Sequence, residues 1–157
     1  MTQNPDPFRE IKRFHTIQED FISGIRDEIN PITNVLSTDF TSIGIDGIVR
    51  DRSASIETLE EMNNRYASSN PRFLIEVEPV EHVPSTAGQH MVVYTARWRI
   101  NGEWKERQNT AWLQESNQVL TGLVWRHHHE TLRTTDDSEE DNSSAADDSN
   151  QEEQGES

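Results

Sequence analysis

The chain contains no cysteine, which excludes disulfides, thiolate metal ligands and a cysteine nucleophile. Lysine is nearly missing too: Lys12 and Lys105 stand alone among 14 basic residues, and nowhere do Lys and Arg gather into a run. Phosphate binding needs a basic stripe, so nucleic acid is not an expected partner. No apolar stretch approaches the roughly 18 residues of a membrane-spanning helix. The opening MTQNPDPFRE has neither a basic start nor an apolar h-region. The expectation is a cytoplasmic protein without export signal or membrane partner.

What is in excess is acid, and it is unevenly placed. From Thr134 to Ser157 there are 10 Asp and Glu residues and no Lys or Arg, with Ala145 and Ala146 as the only apolar side chains. Such a segment cannot bury enough surface to offset its ordering entropy, so residues 134–157 are expected to form a disordered acidic tail that solvates the chain. Taking those 10 acids from the 29 leaves 19 against 14 bases, so the body carries −5 of the total −15. Residues 1–7 read as a flexible N-terminus and residues 8–133 as one folded domain.

Within the body, Phe8, Ile11, Phe14, Ile17, Phe21, Ile22, Ile25 and Ile29 recur at spacings of three and four, predicting one long amphipathic helix that Asn30-Pro31 ends. Ile32, Val35 and Leu36 predict a short helix or turn leading into a strand. Asp46-Gly47 between β-branched residues predicts a hairpin with a type I′ turn. SASIETLEEMNNRY predicts a further helix capped by Ser53 or Ser55, with Ile56, Leu59, Met62 and Tyr66 on one stripe and Asn70-Pro71 as its stop.

From residue 72 the period drops to two. Strands are predicted over FLIEVEPVEHV, HMVVYTARWRI, EWKERQNTAWLQE and VLTGLVWRHHHETL, with Asn101-Gly102 turning the second into the third. Helices followed by a meander of long antiparallel strands is an α+β pattern, and a curled sheet closed by a long helix leaves a hollow.

This order, with Asp39, Phe40, Asp46 and Gly47 as a DF…DG motif, NTAW at Trp112 and HHHET at the end, resembles the SnoaL-like or nuclear transport factor 2-like superfamily. It looks most like the branch called domain of unknown function 4440. The resemblance spans about residues 8 to 133. It implies a ketosteroid isomerase-like, cystatin-like cone of curved antiparallel sheet wrapped around N-terminal helices, with an internal pocket, commonly dimerising through the sheet. It fixes architecture far better than activity.

On a regular strand, His127 and His129 share a face with Trp125, leaving Arg126, His128 and Glu130 on the other. A histidine in the pocket would carry protons near neutrality. The resemblance places an acid at Asp39, where burial would raise its pKa. Asp39, His127 and His129 are therefore the candidate catalytic residues. They are not an expected metal site, since one strand offers two His ligands and the third would have to come from elsewhere. The isomerase's tyrosine donor has no counterpart on the first helix, which holds no Tyr.

His15 on the long helix, and Tyr94, Trp98 and Trp112, are candidate ligand contacts; Tyr94, Trp98, Trp104 and Trp112 are expected to form an aromatic wall on one side of the sheet. Arg97, with Arg99 and Arg107 on the opposite side, would clamp a carboxylate or pair with Glu76, Glu78 and Glu106. The functional expectation is a domain binding a small, largely apolar molecule without a cofactor. Its enzymatic form would be an isomerase, cyclase, dehydratase or hydrolase. The alternative is a non-enzymatic association module, and a homodimer is expected either way.

Overall fold

The computed structural model describes residues 5–133, so the acidic tail at 134–157 lies outside it, as do residues 1–4. Helix α1 (Pro7–Ser23) starts where the sequence supplies a cap: the Asp6 carboxylate accepts the N–H groups of Phe8 and Arg9 at 3.1 and 3.3 Å. Pro7 suits the first helical position, having no N–H to lose, and it is buried. Ordered structure thus begins inside the segment 1–7 read as flexible.

The helix also ends earlier than its apolar period suggests. Gly24 adopts φ +88°, and the N–H groups of Ile25 and Arg26 both return to the Asp20 carbonyl, which closes the helical ladder. Ile25 is consequently exposed, while Ile29 packs on the core from the next segment. A short α2 (Asn30–Thr33) leads into β1 (Leu36–Ile43), which forms a hairpin with β2 (Val49–Asp51). Its turn is not the expected type I′. Only Gly47 takes positive φ; its N–H donates to the Gly44 carbonyl at 2.8 Å and the Gly44 N–H to the Ile48 carbonyl, a longer connection with a glycine bulge.

Helix α3 (Arg52–Glu60) is capped by Asp51, whose carboxylate accepts the Ala54 N–H at 2.9 Å, not by Ser53 or Ser55. Its stripe of Ile56 and Leu59, continued by Met62 and Tyr66 beyond the helix end, packs against the core as the spacing predicts. The remaining strands are β3 (Leu74–Pro84), β4 (Gln89–Ile100), β5 (Glu103–Glu115) and β6 (Leu123–Leu132). They form one six-stranded sheet in the order β2-β1-β6-β5-β4-β3, so the curved α+β sheet is present and unclosed, with free edges at β2 and β3. Four pairings are antiparallel; β1 and β6 run parallel, the one departure from an all-antiparallel sheet. No helix among the described residues is long and apolar enough to cross a membrane.

The core lies between α1 and the inner face of the sheet. Ile11, Phe14, Ile17 and Ile22 meet Phe73, Val92, Tyr94, Leu113 and Trp125, with the Phe14 and Trp125 rings 4.2 Å apart. Glu10 is buried among them, its carboxylate accepting the Trp125 indole N–H at 2.9 Å and two bonds from Arg13. A buried carboxylate supplied with three donors is held without the penalty of a lone charge.

Two registers decide which side chains face that core. Asn101 and Gly102 both take positive φ, the type I′ turn, so Ile100 pairs with Glu103. Odd positions of β4 therefore face even positions of β5: Arg99 pairs with Trp104 and Met91 with Trp112. Trp104 and Trp112 sit on the outer face, both exposed, and the expected aromatic wall does not form. On the inner face of β5 are Arg107, Asn109, Ala111 and Leu113, which moves Arg107 to the side of Trp98.

The second register change is in β6. Leu113 pairs with Trp125 but Trp112 pairs with His127, leaving Arg126 as an extra residue in a β-bulge. A bulge shifts parity by one, so every side chain after it changes face. Trp125 points inward, and so do His128 and Glu130; His127 and His129 turn outward.

Candidate functional site

The structure does not bring Asp39, His127 and His129 into the hollow. Asp39 is exposed on β1 in the irregular stretch between Leu36 and Thr41. It accepts from the Ser37 hydroxyl at 2.7 Å and from Arg126 at 2.8 Å, and these bonds hold its carboxyl below the usual range, the reverse of the expected buried, raised acid. The two irregular segments face each other there, and the Asp39–Arg126 pair pins them together. His127 bonds the Thr41 hydroxyl at 2.8 Å, and the His127 and His129 rings lie 6.4 Å apart on the outer face. Arg97 is also outside, paired with Glu76 at 3.2 Å and Glu106 at 3.7 Å, with its guanidinium 4.5 Å from the Trp104 ring.

What the inner face does assemble is a polar chain in an apolar setting. His15 is 1% exposed on α1, held by its neighbours Phe14 and Ile17 in the core. Its Nδ1 lies 2.7 Å from Gln18 Oε1 and its Nε2 lies 2.7 Å from the Tyr94 hydroxyl. The Tyr94 hydroxyl is 3.2 Å from His128 Nε2, and that nitrogen is 2.8 Å from Asn109 Oδ1. Asn109 in turn donates through Nδ2 to the Arg107 carbonyl at 3.2 Å. The chain thus crosses α1, β4, β6 and β5.

Beside it, Arg107 lies 3.9 Å above the Trp98 ring and 3.5 Å from Glu130, and both charged side chains are incompletely covered. The Trp98 indole N–H and the Arg107 Nε are enclosed without an acceptor. Sequence reading puts His128 and Glu130 on the wrong face, groups Arg107 with Arg97 and passes over Asn109. The signal that finds them is the two-residue Asn101-Gly102 turn for β5 and the bulge for β6; only the first is written in the sequence.

Burial pushes His15 down to about 4, the neighbouring His128 adding to it, and burial pushes His128 down to about 3. The Tyr94 hydroxyl is raised well above its ordinary value by burial, with Glu130 contributing. All three groups are neutral at pH 7. A proton carrier works best with a pKa near the operating pH, and these neutral groups instead link into one chain of hydrogen bonds. Among the described residues no group of three or more His, Asp or Glu side chains is disposed to hold a metal ion.

A groove of about 390 Å³ runs between α1 and the edge strand β3, lined by Lys12, His15, Thr16, Ile75, Val77 and Arg97, so two of the expected ligand contacts, His15 and Arg97, do meet there. A broader cleft of about 1260 Å³ lies away from the histidines, between the start of α1 and the loop joining β5 to β6.

Comparisons with solved structures give the same fold. An NTF-2-like protein of unknown function from Pseudomonas aeruginosa is similar with a TM-score of 0.70 and 22% identity, the match covering 80% of this chain and 96% of that one. The protein Aln2 from a Streptomyces species matches with a TM-score of 0.62 at 13% identity, over 84% and 94% of the two chains. The S. rosetta CaMKII hub matches with a TM-score of 0.59 at 9% identity, over 85% and 99%. At these identities the likeness is one of fold, and the fold is the nuclear transport factor 2-like, cystatin-like one. No protein-family model matches the sequence, so the branch named domain of unknown function 4440 gains no support, and no curated protein matches it significantly.

Proposed function

We propose that the domain binds a small, oxygen-bearing molecule against the inner face of the sheet, at the partly covered polar wall of His128, Arg107 and Glu130. The observation that carries this reading is the Arg107–Glu130 pair, 3.5 Å apart on the inner face, whose side chains keep 16% and 15% of their surface open. Guanidinium N–H groups kept partly open at such a wall donate to a ligand oxygen in place of water. Ile56, Leu59, Met62 and Tyr66 pack against the same core and are only partly buried.

The reading is one of binding, not of turnover. The inner histidines titrate too low to move protons at neutrality, and Asp39, His127 and His129 lie outside. Native mass spectrometry of the gently purified full chain, beside its Arg107→Ala variant, tests it. A defined extra mass on the parent that the variant loses is expected; an empty parent that also fails to bind small alcohols in titration overturns it.

A second reading concerns the outer face. Met91, Trp112 and His127 form one row across β4, β5 and β6, and Val93, Thr110 and His129 the next. Trp112 is 46% exposed in the middle of this patch. An apolar outer sheet face of this kind suits self-association as a homodimer, and it leaves the inner wall free.

A further inference from the structure

We infer that His128 presents a bare nitrogen lone pair to the hollow, so the ligand group that docks on it is a hydrogen-bond donor, a hydroxyl or an N–H, and not a carbonyl. This inference rests on the binding reading above and narrows it to a ligand class.

The argument starts from a group whose role has no alternative. The Arg107 backbone carbonyl can only accept, and the amide of Asn109 bonds it, so the atom 3.2 Å away is Nδ2 and donates. The other end of that amide, Oδ1, then faces His128 Nε2 at 2.8 Å and accepts from it. His128 Nε2 therefore carries the hydrogen. A neutral imidazole has one N–H, and at pH 7 this ring is neutral because it is buried beside Arg107, His127 and His129. Nδ1 is the lone pair. It takes no partner among the described residues, and it is not one of the enclosed unmatched atoms, so it stays accessible.

The rest of the chain agrees with this polarity. Tyr94, 3.2 Å from the same Nε2–H, has its oxygen free to receive it and gives its own hydrogen to His15 Nε2 at 2.7 Å. His15 then carries its hydrogen on Nδ1 and donates to Gln18 Oε1 at 2.7 Å. Each member has one consistent role from the Arg107 carbonyl to Gln18, across four elements. Asn109 is thereby the specificity-determining residue: it fixes which nitrogen of His128 is left for the ligand.

The test uses the full chain labelled with ¹⁵N at histidine. Long-range ¹H–¹⁵N correlation at pH 7 is expected to show His128 as the Nε2–H tautomer, its signal identified by its loss in His128→Gln. An Nδ1–H tautomer overturns the inference whatever binds. Titration with cyclohexanol and with cyclohexanone, followed at the His128 ring, is expected to favour the alcohol by roughly tenfold, the worth of one hydrogen bond. Equal binding, or a preference for the ketone, overturns the donor requirement while leaving the binding site standing.

A His128 ring that responds to neither probe overturns the binding reading and the ligand class with it. Asn109→Asp places a carboxylate against Nε2, favours the doubly protonated ring and is expected to reverse the preference toward the ketone. Tyr94→Phe is expected to leave the His128 tautomer unchanged while the His15 tautomer becomes mixed; a changed His128 in that variant would place the control of polarity at His15 and overturn the role of Asn109.

Discussion

At the scale of single residues, the inner histidines make stability depend on pH with a definite sign. An unfolded histidine titrates near 6.5, while His15 and His128 in the fold titrate at about 4 and about 3. Between those values the unfolded chain binds more protons, so stability is full above about pH 6.5 and falls as the pH drops toward 4. His15 alone accounts for about 3 kcal/mol of that loss at the acid end. Urea midpoints measured from pH 7 to pH 4 are expected to fall steeply, and less steeply in a His15→Gln variant. Tyr94→Phe strands His15 Nε2 in the core and is expected to cost about 1–3 kcal/mol in the same assay. Asp39→Asn, by contrast, loosens an exposed pair and is expected to leave the urea midpoint nearly unchanged.

At the scale of elements, one extra residue in β6 rearranges the candidate site. Deleting Arg126 removes the bulge but keeps Trp125 opposite Leu113 and His127 opposite Trp112, so His128 and Glu130 stay inward and His127 and His129 outward. The deletion is expected to cost about 1–3 kcal/mol while leaving the His128 ring in place, because β6 then meets the irregular stretch of β1 without its matching bulge and loses the Asp39 pair. Arg126→Ala keeps the register and loses only a surface pair, so the contrast between the two in thermal melts isolates the bulge. The end of α1 is the other sensitive point. Gly24→Ala forces a Cβ into a left-handed conformation and against the Asn64 side chain, at a cost of about 1 kcal/mol or more.

At the scale of the whole molecule, the sheet presents two unlike faces. The inner one is packed by α1 and carries the polar chain; the outer one carries Trp112 beside Met91 and a row of histidines. If the chain pairs through the outer face as proposed, Trp112→Glu is expected to give a monomer by light scattering where the parent is a dimer, and to leave the His128 ring signals in place. Dissociation accompanied by loss of those signals would instead tie the hollow to the interface. The CaMKII hub and Aln2 share this fold at only 9% and 13% identity, so side-chain placement, not fold, has to carry a functional argument here.

The local period of apolar residues determined the elements: the stripe of α1, the stripe from Ile56 to Tyr66 and the alternation of four strands followed from spacing alone, and their order fixed the α+β sheet. Turn chemistry determined more than the aromatic wall allowed for, since a two-residue turn at Asn101-Gly102 already sets odd against even across β4 and β5 and sends Trp104 and Trp112 outward. Where the chain caps a helix with Gly24 or Asp51 instead of the next candidate, local energies of similar size compete, and packing chooses among them. Only the tertiary structure decided which histidine is buried. A β-bulge has no period of its own, and it forms where β6 must pair with β5 on one side and with the irregular β1 on the other; that non-local demand, absent from any window of the sequence, made His128 the inner residue and left Asp39, His127 and His129 outside.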